Sequence, residues 1–133
     1  MQILKVDDRV YRPSSPEWFT GTVWLEELAL PAPPARLRAY RVTFEPGART
    51  AWHTHPIGQA LHILSGIGRV QSAGAQVQTV RPGDTVFIAP GELHWHGAAP
   101  GHAMVHLALH EKDQNGQEVE WGKQVTDVEY NAI

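Results

Sequence analysis

From Arg36 the chain breaks into short runs of aliphatic, aromatic and β-branched residues, separated by the turn signals EPG, HPIG, SGIG, SAGA, RPGD, APGE and APG. The runs are Leu37 to Phe44, Thr50 to His55, Gln59 to Leu64, Gly68 to Ser72, Gln76 to Val80, Thr85 to Ala89, Leu93 to Gly97 and Ala103 to His110. No helix of ordinary length fits between them. Many short strands at even spacing predict an all-β sandwich or barrel. Residues 11 to 35 read differently: Pro13, Pro16, Pro31, Pro33 and Pro34 bracket the weakly alternating segment Trp18 to Leu30, an arm with one edge strand. After residue 112, Asn115 and Gly116 form a turn signal, and Thr126 to Glu129 matches a capping box that opens one helical turn. The expected organisation is one domain over 1–133, with an arm at 1–35, a core barrel at about 36–112 and a tail at 113–133.

Alternation along a strand sorts side chains onto two faces. In the last long run it groups Met104, His106, Ala108 and His110 against Val105, Leu107 and Leu109, and in the first it groups Tyr40, Val42 and Phe44. The mixed faces line a cavity, for which Tyr40, Val42, Phe44, Thr50, Leu61 and Met104 are the expected wall. His62 falls opposite Gln59 and Leu61 and reads as structural, His102 sits in a solvated turn, and Trp95 points away from its histidine neighbours into packing. Gly47, Gly66, Gly83 and Gly91 read as turn formers.

Composition narrows the chemistry. The formal charge of −3 is spread without a basic stripe, which argues against a nucleic-acid partner. The N-terminal MQILKVDDRV lacks the apolar core of a secretory signal, and no run approaches a membrane span, so a cytoplasmic protein with a small-molecule substrate is expected. With no cysteine, any transition metal must be held by nitrogen and oxygen, and the eight histidines are where such donors concentrate.

His53 and His55 are one residue apart, so on a strand both imidazoles project to one side. Gln59 re-enters a strand after the Pro56 to Gly58 turn, and His94 follows the Pro90 and Gly91 turn, so the two can complete a set of four uncharged donors. Such a set leaves the full charge of one divalent ion available as a Lewis acid. Manganese, iron, cobalt, nickel and zinc are all compatible with it. His96 lies two residues beyond His94 on the same face, and His106 and His110 project from another strand towards the same cavity. Any of the three imidazoles can serve as a base towards a hydroxyl activated by the ion.

The HxH pair sits in a longer pattern that runs from Gly47 through His53, His55 and Gln59 to Gly66, followed by GDTVFIAPGELH from Gly83 to His94. These stretches resemble the paired motifs of the cupin superfamily, small jelly-roll β-barrels, with Gln in place of the usual Glu. The segments EWFTGTV, VTFEPGARTAWHTHPIGQ, RPGD, PGELHWHGAAP, AMVHLAL and VEWGKQVTDVEY are similar to the bacterial cupin group that contains the manganese-dependent (R)-selective hydroxynitrile lyases. The resemblance implies manganese on His53, His55, Gln59 and His94, His96 as a candidate base, and a homodimer or homotetramer. Tyr40 stands where the group has a small residue, ALHIL replaces a threonine-containing version, and His110 replaces a common Gln. The expected activity is cleavage or formation of cyanohydrins; the alternatives are a metal-dependent dioxygenase or other oxidoreductase, told apart by oxygen uptake, and a small-molecule-binding protein without turnover.

Overall fold

A computed structural model describes all residues from Met1 to Ile133. Thirteen strands, numbered in chain order, form two facing sheets. The first has the order β1 (Tyr11–Pro13), β3 (Val23–Ala29), β4 (Leu37–Phe44), β12 (Met104–Glu111), β7 (Gln59–Gly66) and β10 (Thr85–Ile88). The second runs β13 (Glu120–Trp121), β6 (His53–Thr54), β11 (His94–Ala98), β5 (Arg49–Thr50) and β2 (Phe19–Thr20), with β8 (Gly68–Ser72) on β11 and β9 (Gln78–Val80) on β8. All pairings are antiparallel, so the expected all-β architecture is the one observed. No helix is long and apolar enough to cross a membrane.

Strand parity does the sorting it was expected to do in β12. Met104, His106, Ala108 and His110 are buried on the inner face, opposite Phe44, Val42, Tyr40 and Arg38 of β4. On the other side of β12, His110 faces Gln59 and His106 faces Ile63, with a bulge between Val105 and His106. The apolar interior between the sheets is built from Val23, Val42, Phe44, Leu61, Ile63, Val80, Ile88, Ala98 and Met104. Here one expectation needs correction. Leu61 and Met104 point inward as parity requires, but both are fully buried in this core and do not reach the cavity wall. Alternation fixes which face a residue takes and says nothing about its depth along the barrel.

Two further differences come from chain breaks that periodicity does not register. Trp18 to Leu30 is split into β2 and β3 at Gly21, whose φ of 79° lies in the left-handed region that favours glycine. Thr50 to His55 is split into β5 and β6 because the backbone changes partners there: Ala51 N–H donates to the Trp18 carbonyl (2.8 Å) and Trp52 N–H to the Lys123 carbonyl (2.9 Å). The short strands β1 and β13 were not foreseen. The expected capping box is present: Thr126 and Glu129 exchange bonds and open α1 (Asp127–Tyr130).

That turn matters for the site because it covers the back of β11, all five residues of which are buried. Trp95 packs with Val77, Val125 and Tyr130 on the outer side, as expected for a core residue, and its Nε1–H donates to Gln71 Oε1 at 2.7 Å. His94 and His96 are thereby left on the inner side.

One glycine is held by space as well as by φ. A Cβ on Gly66, at φ 80°, would lie 1.8 Å from the Ala103 carbonyl oxygen across the β7–β12 pairing. Gly66→Ala is expected to lower unfolding free energy by roughly 2–4 kcal/mol, combining the left-handed penalty with displacement of the neighbouring strand. Urea denaturation would measure it, and a loss below about 0.5 kcal/mol, the size of an ordinary surface substitution, would contradict the packing described here.

Candidate metal centre

The inner faces of β4, β12 and β7 and the second sheet enclose a cavity of about 200 Å³. This is below the ~300–1,000 Å³ of pockets for drug-sized ligands, so it suits a small molecule. Tyr40, Val42, Phe44 and Thr50 line it. Phe19, Leu25, Ala108, Val119 and Trp121 complete the apolar wall, and Arg12 and Glu118 add charge. Sequence reasoning missed these additional residues. Val119 and Trp121 come from the tail, whose path over the barrel no periodicity announces, and Trp121 stacks on Trp18 (5.5 Å) and lies 4.7 Å from the His53 ring.

The histidines converge. His94 of β11 is paired in register with His53 of β6, and their ring centroids are 4.1 Å apart. The ligand-capable atoms of His53, His94 and His96 lie within 4.8 Å of one another, a three-histidine cluster compatible with a divalent metal ion. The His55 ring stands 5.0 Å from His53 and 5.5 Å from His94. Gln59 is buried beside it at the start of β7.

Hydrogen bonding divides the imidazoles into two kinds. In His53, His55 and His94, Nδ1–H donates to a main-chain carbonyl: Ala51 at 2.8 Å, Glu118 at 2.9 Å and Glu92 at 2.9 Å. A carbonyl can only accept, so each ring is fixed with its proton on Nδ1 and a lone pair on Nε2. Ligand imidazoles are oriented in this way in metal sites. His96 differs: its Nδ1 bonds His106 Nε2 at 3.0 Å, a contact between two groups that can each hold a proton. Thr50 Oγ1 accepts from the His96 main-chain N–H at 3.2 Å and ties that residue to β5.

Five buried polar atoms in this cluster lack any partner: Nε2 of His55, His94 and His96, Oε1 of Gln59 and Nδ1 of His106. Leaving one such group unsatisfied costs about 1–3 kcal/mol. Unpartnered lone pairs in one buried cluster can be satisfied by a cation, and nitrogen with amide oxygen is a donor set for a borderline transition metal. The residues present therefore fit a divalent ion.

Burial keeps the rings neutral. Desolvation, then the neighbouring imidazoles of His94 and His55, holds His53 well below 6.5. Desolvation lowers His94, and carries His55 to about 4 against the Glu118 carbonyl bond that acts to raise it. His96 is held well below 6.5 by desolvation and then by His106, and desolvation puts His106 at about 4. Neutral rings offer lone pairs to a metal or to a proton.

His110 stands apart from the other two expected bases. Its Nε2–H donates to Glu118 Oε1 at 3.0 Å and its Nδ1 faces Gln59 Nε2 at 3.4 Å, so both ring nitrogens are engaged. His62 bonds Thr85 Oγ1 outside the barrel, and His102 is exposed in its turn.

A small two-sheet barrel with buried histidines gathered between its sheets defines a metal-binding β-barrel class. Residues 40–110 match the cupin domain, and the chain belongs to the cupin family. It is 48% identical over 130 residues, covering 98% of each chain, to a protein named (R)-mandelonitrile lyase from Granulicella tundricola. Among solved structures, a cupin-like protein from Thermotoga maritima superposes with a TM-score of 0.84 at 39% identity, over 89% of both chains. A polyketide cyclase from Streptomyces resistomycificus shares the fold at a TM-score of 0.70 and 19% identity, over 98% of this chain and 90% of that one.

Proposed function

We propose that this chain is a metal-dependent hydroxynitrile lyase that cleaves a small cyanohydrin to an aldehyde and hydrogen cyanide, and forms it in reverse. The observation that carries the reading is the set of partnerless lone pairs on Gln59, His55 and His94 beside a bonded His96–His106 pair. The relative named as a lyase supports the choice of reaction. His53, His55 and His94 through Nε2, and Gln59 through Oε1, would hold the ion, with manganese the proposed metal. When bound, it supplies positive charge that lowers the pKa of a hydroxyl in the cavity.

The remaining chemistry belongs to the protein. The neutral His96–His106 pair accepts the hydroxyl proton on a free ring nitrogen, Nε2 of His96 or Nδ1 of His106. The oxygen lone pair becomes the carbonyl π bond, the C–C bond electrons leave with cyanide, and the imidazolium returns its proton to give hydrogen cyanide. Phe19, Leu25, Val42, Phe44 and Trp121 exclude water from the apolar body of the substrate. His96 is grouped with the metal donors by distance, but its Nδ1 rests on a second imidazole instead of a carbonyl. This difference supports a proton-handling role.

Incubation of manganese-loaded protein with racemic mandelonitrile is expected to release benzaldehyde, with the (R) form consumed first. No release above the metal-free control would overturn the proposal, and oxygen uptake without aldehyde release would point to an oxidoreductase.

A further inference from the structure

We propose that Glu118 is a positioning residue that orients two of the four metal donors, a role that rests on the metal-dependent reading above. Its main-chain carbonyl accepts from His55 Nδ1–H at 2.9 Å, which holds that ring with Nε2 free. Its carboxylate acts on Gln59 through His110. Glu118 Oε1 accepts from His110 Nε2–H at 3.0 Å, so in the neutral ring the proton sits on Nε2 and Nδ1 is a bare acceptor.

That acceptor lies 3.4 Å from the Gln59 amide nitrogen. Only the –NH₂ end of the amide can bond there, because the carbonyl end would set lone pair against lone pair. The amide is thereby turned so that Oε1 points away from His110, and Oε1 is the buried atom that has no partner. An amide has two faces of nearly equal shape, and the wrong one would present N–H groups to a cation. Glu118, acting through His110, selects the right one.

The carboxylate is itself held in place. Tyr40 O–H donates to Oε1 at 3.3 Å, and the buried Arg38 guanidinium lies 3.7 Å from Oε2. Glu118 lies outside the HxH, Gln and His spacing, between the turn at Gly116 and β13, which pairs with β6 beside His53. The tail is thus part of the donor scaffold. Tyr40 and His110, two of the three departures from the group pattern, both belong to the Glu118 network.

The test uses the full chain in two measurements. In metal-free protein with isotope-labelled histidine, long-range proton–nitrogen correlation spectra should show His110 as the Nε2–H tautomer, with that preference lost in Glu118→Ala. Manganese affinity, read by competition with a chelator, should fall roughly 10- to 100-fold in Glu118→Ala and in His110→Ala. The double variant should lose no more than the larger single loss, since both residues act in one chain of contacts. Glu118→Gln keeps an acceptor oxygen and should recover most of the affinity, which a general folding defect would not do. Unchanged affinity in Glu118→Ala, additive losses, or His110 as the Nδ1–H tautomer in the parent would overturn the proposal. A parent that binds no manganese would overturn the metal-dependent reading beneath it, while the tautomer spectra would still judge the Glu118–His110 contact by themselves.

Discussion

His53→Ala and His94→Ala are expected to abolish stoichiometric metal binding and to reduce cyanohydrin cleavage to the level of metal-free protein. Each removes a nitrogen that the fold holds at fixed orientation. The two rings come from paired positions on adjacent strands, 4.1 Å apart between centroids. His96→Ala and His106→Ala should behave differently. They should retain the ion and lose rate, by about 100-fold or more, the size of effect general-base removal commonly produces. Elemental analysis of dialysed protein, paired with benzaldehyde release, separates the two groups. If His96→Ala loses the ion and His55→Ala keeps it, the compact trio of His53, His94 and His96 is the ligand set, and the proton-transfer role passes to another residue.

Acidification of the metal-free protein should destabilise it well before the carboxylates titrate. An unfolded histidine takes up its proton near pH 6.5, whereas burial holds His55 and His106 at about 4 in the folded chain. Between these values the unfolded chain binds more protons than the folded one. Stability therefore rises with pH across this window and is lost as pH falls from about 6.5 towards 4. His53 and His96, shifted in the same direction, add to the effect. Each fully shifted group contributes about 1.4 kcal/mol per pH unit. Urea midpoints measured at intervals from neutral pH to about pH 4.5 should decline steadily, and the slope should be shallower in His106→Gln. A flat profile down to about pH 5 would show that these rings are not held neutral by burial.

How far each feature was legible follows from the range of the interaction that produces it. The eight runs after Arg36 were readable because alternation and turn chemistry are local, and the same alternation placed His106, Ala108 and His110 on the inner face. The HxH pair, Gln59 and His94 were readable as candidates because their spacing brackets the Pro56 to Gly58 and Pro90 to Gly91 turns. Leu61 and Met104 were placed on the right face and at the wrong depth, since two inward residues of one strand can lie one in the core and one on the cavity. Glu118, Val119 and Trp121 were not legible at all. They reach the site because β13 pairs with β6, a contact across about half the chain that leaves no periodic trace in a two-residue strand.

By itself the sequence determined most of the strand-forming runs, the all-β class, the absence of thiolate ligands and the residues able to donate to a metal, because these depend on side-chain chemistry and nearest-neighbour backbone preference. Only the tertiary structure decided which nitrogen of each imidazole is free, which histidines share a proton contact and which face of the Gln59 amide looks inward. Those choices are made by single hydrogen bonds to Ala51, Glu92, Glu118, His106 and His110. The geometry of such bonds exists only once the distant strands and the tail have closed around the cavity.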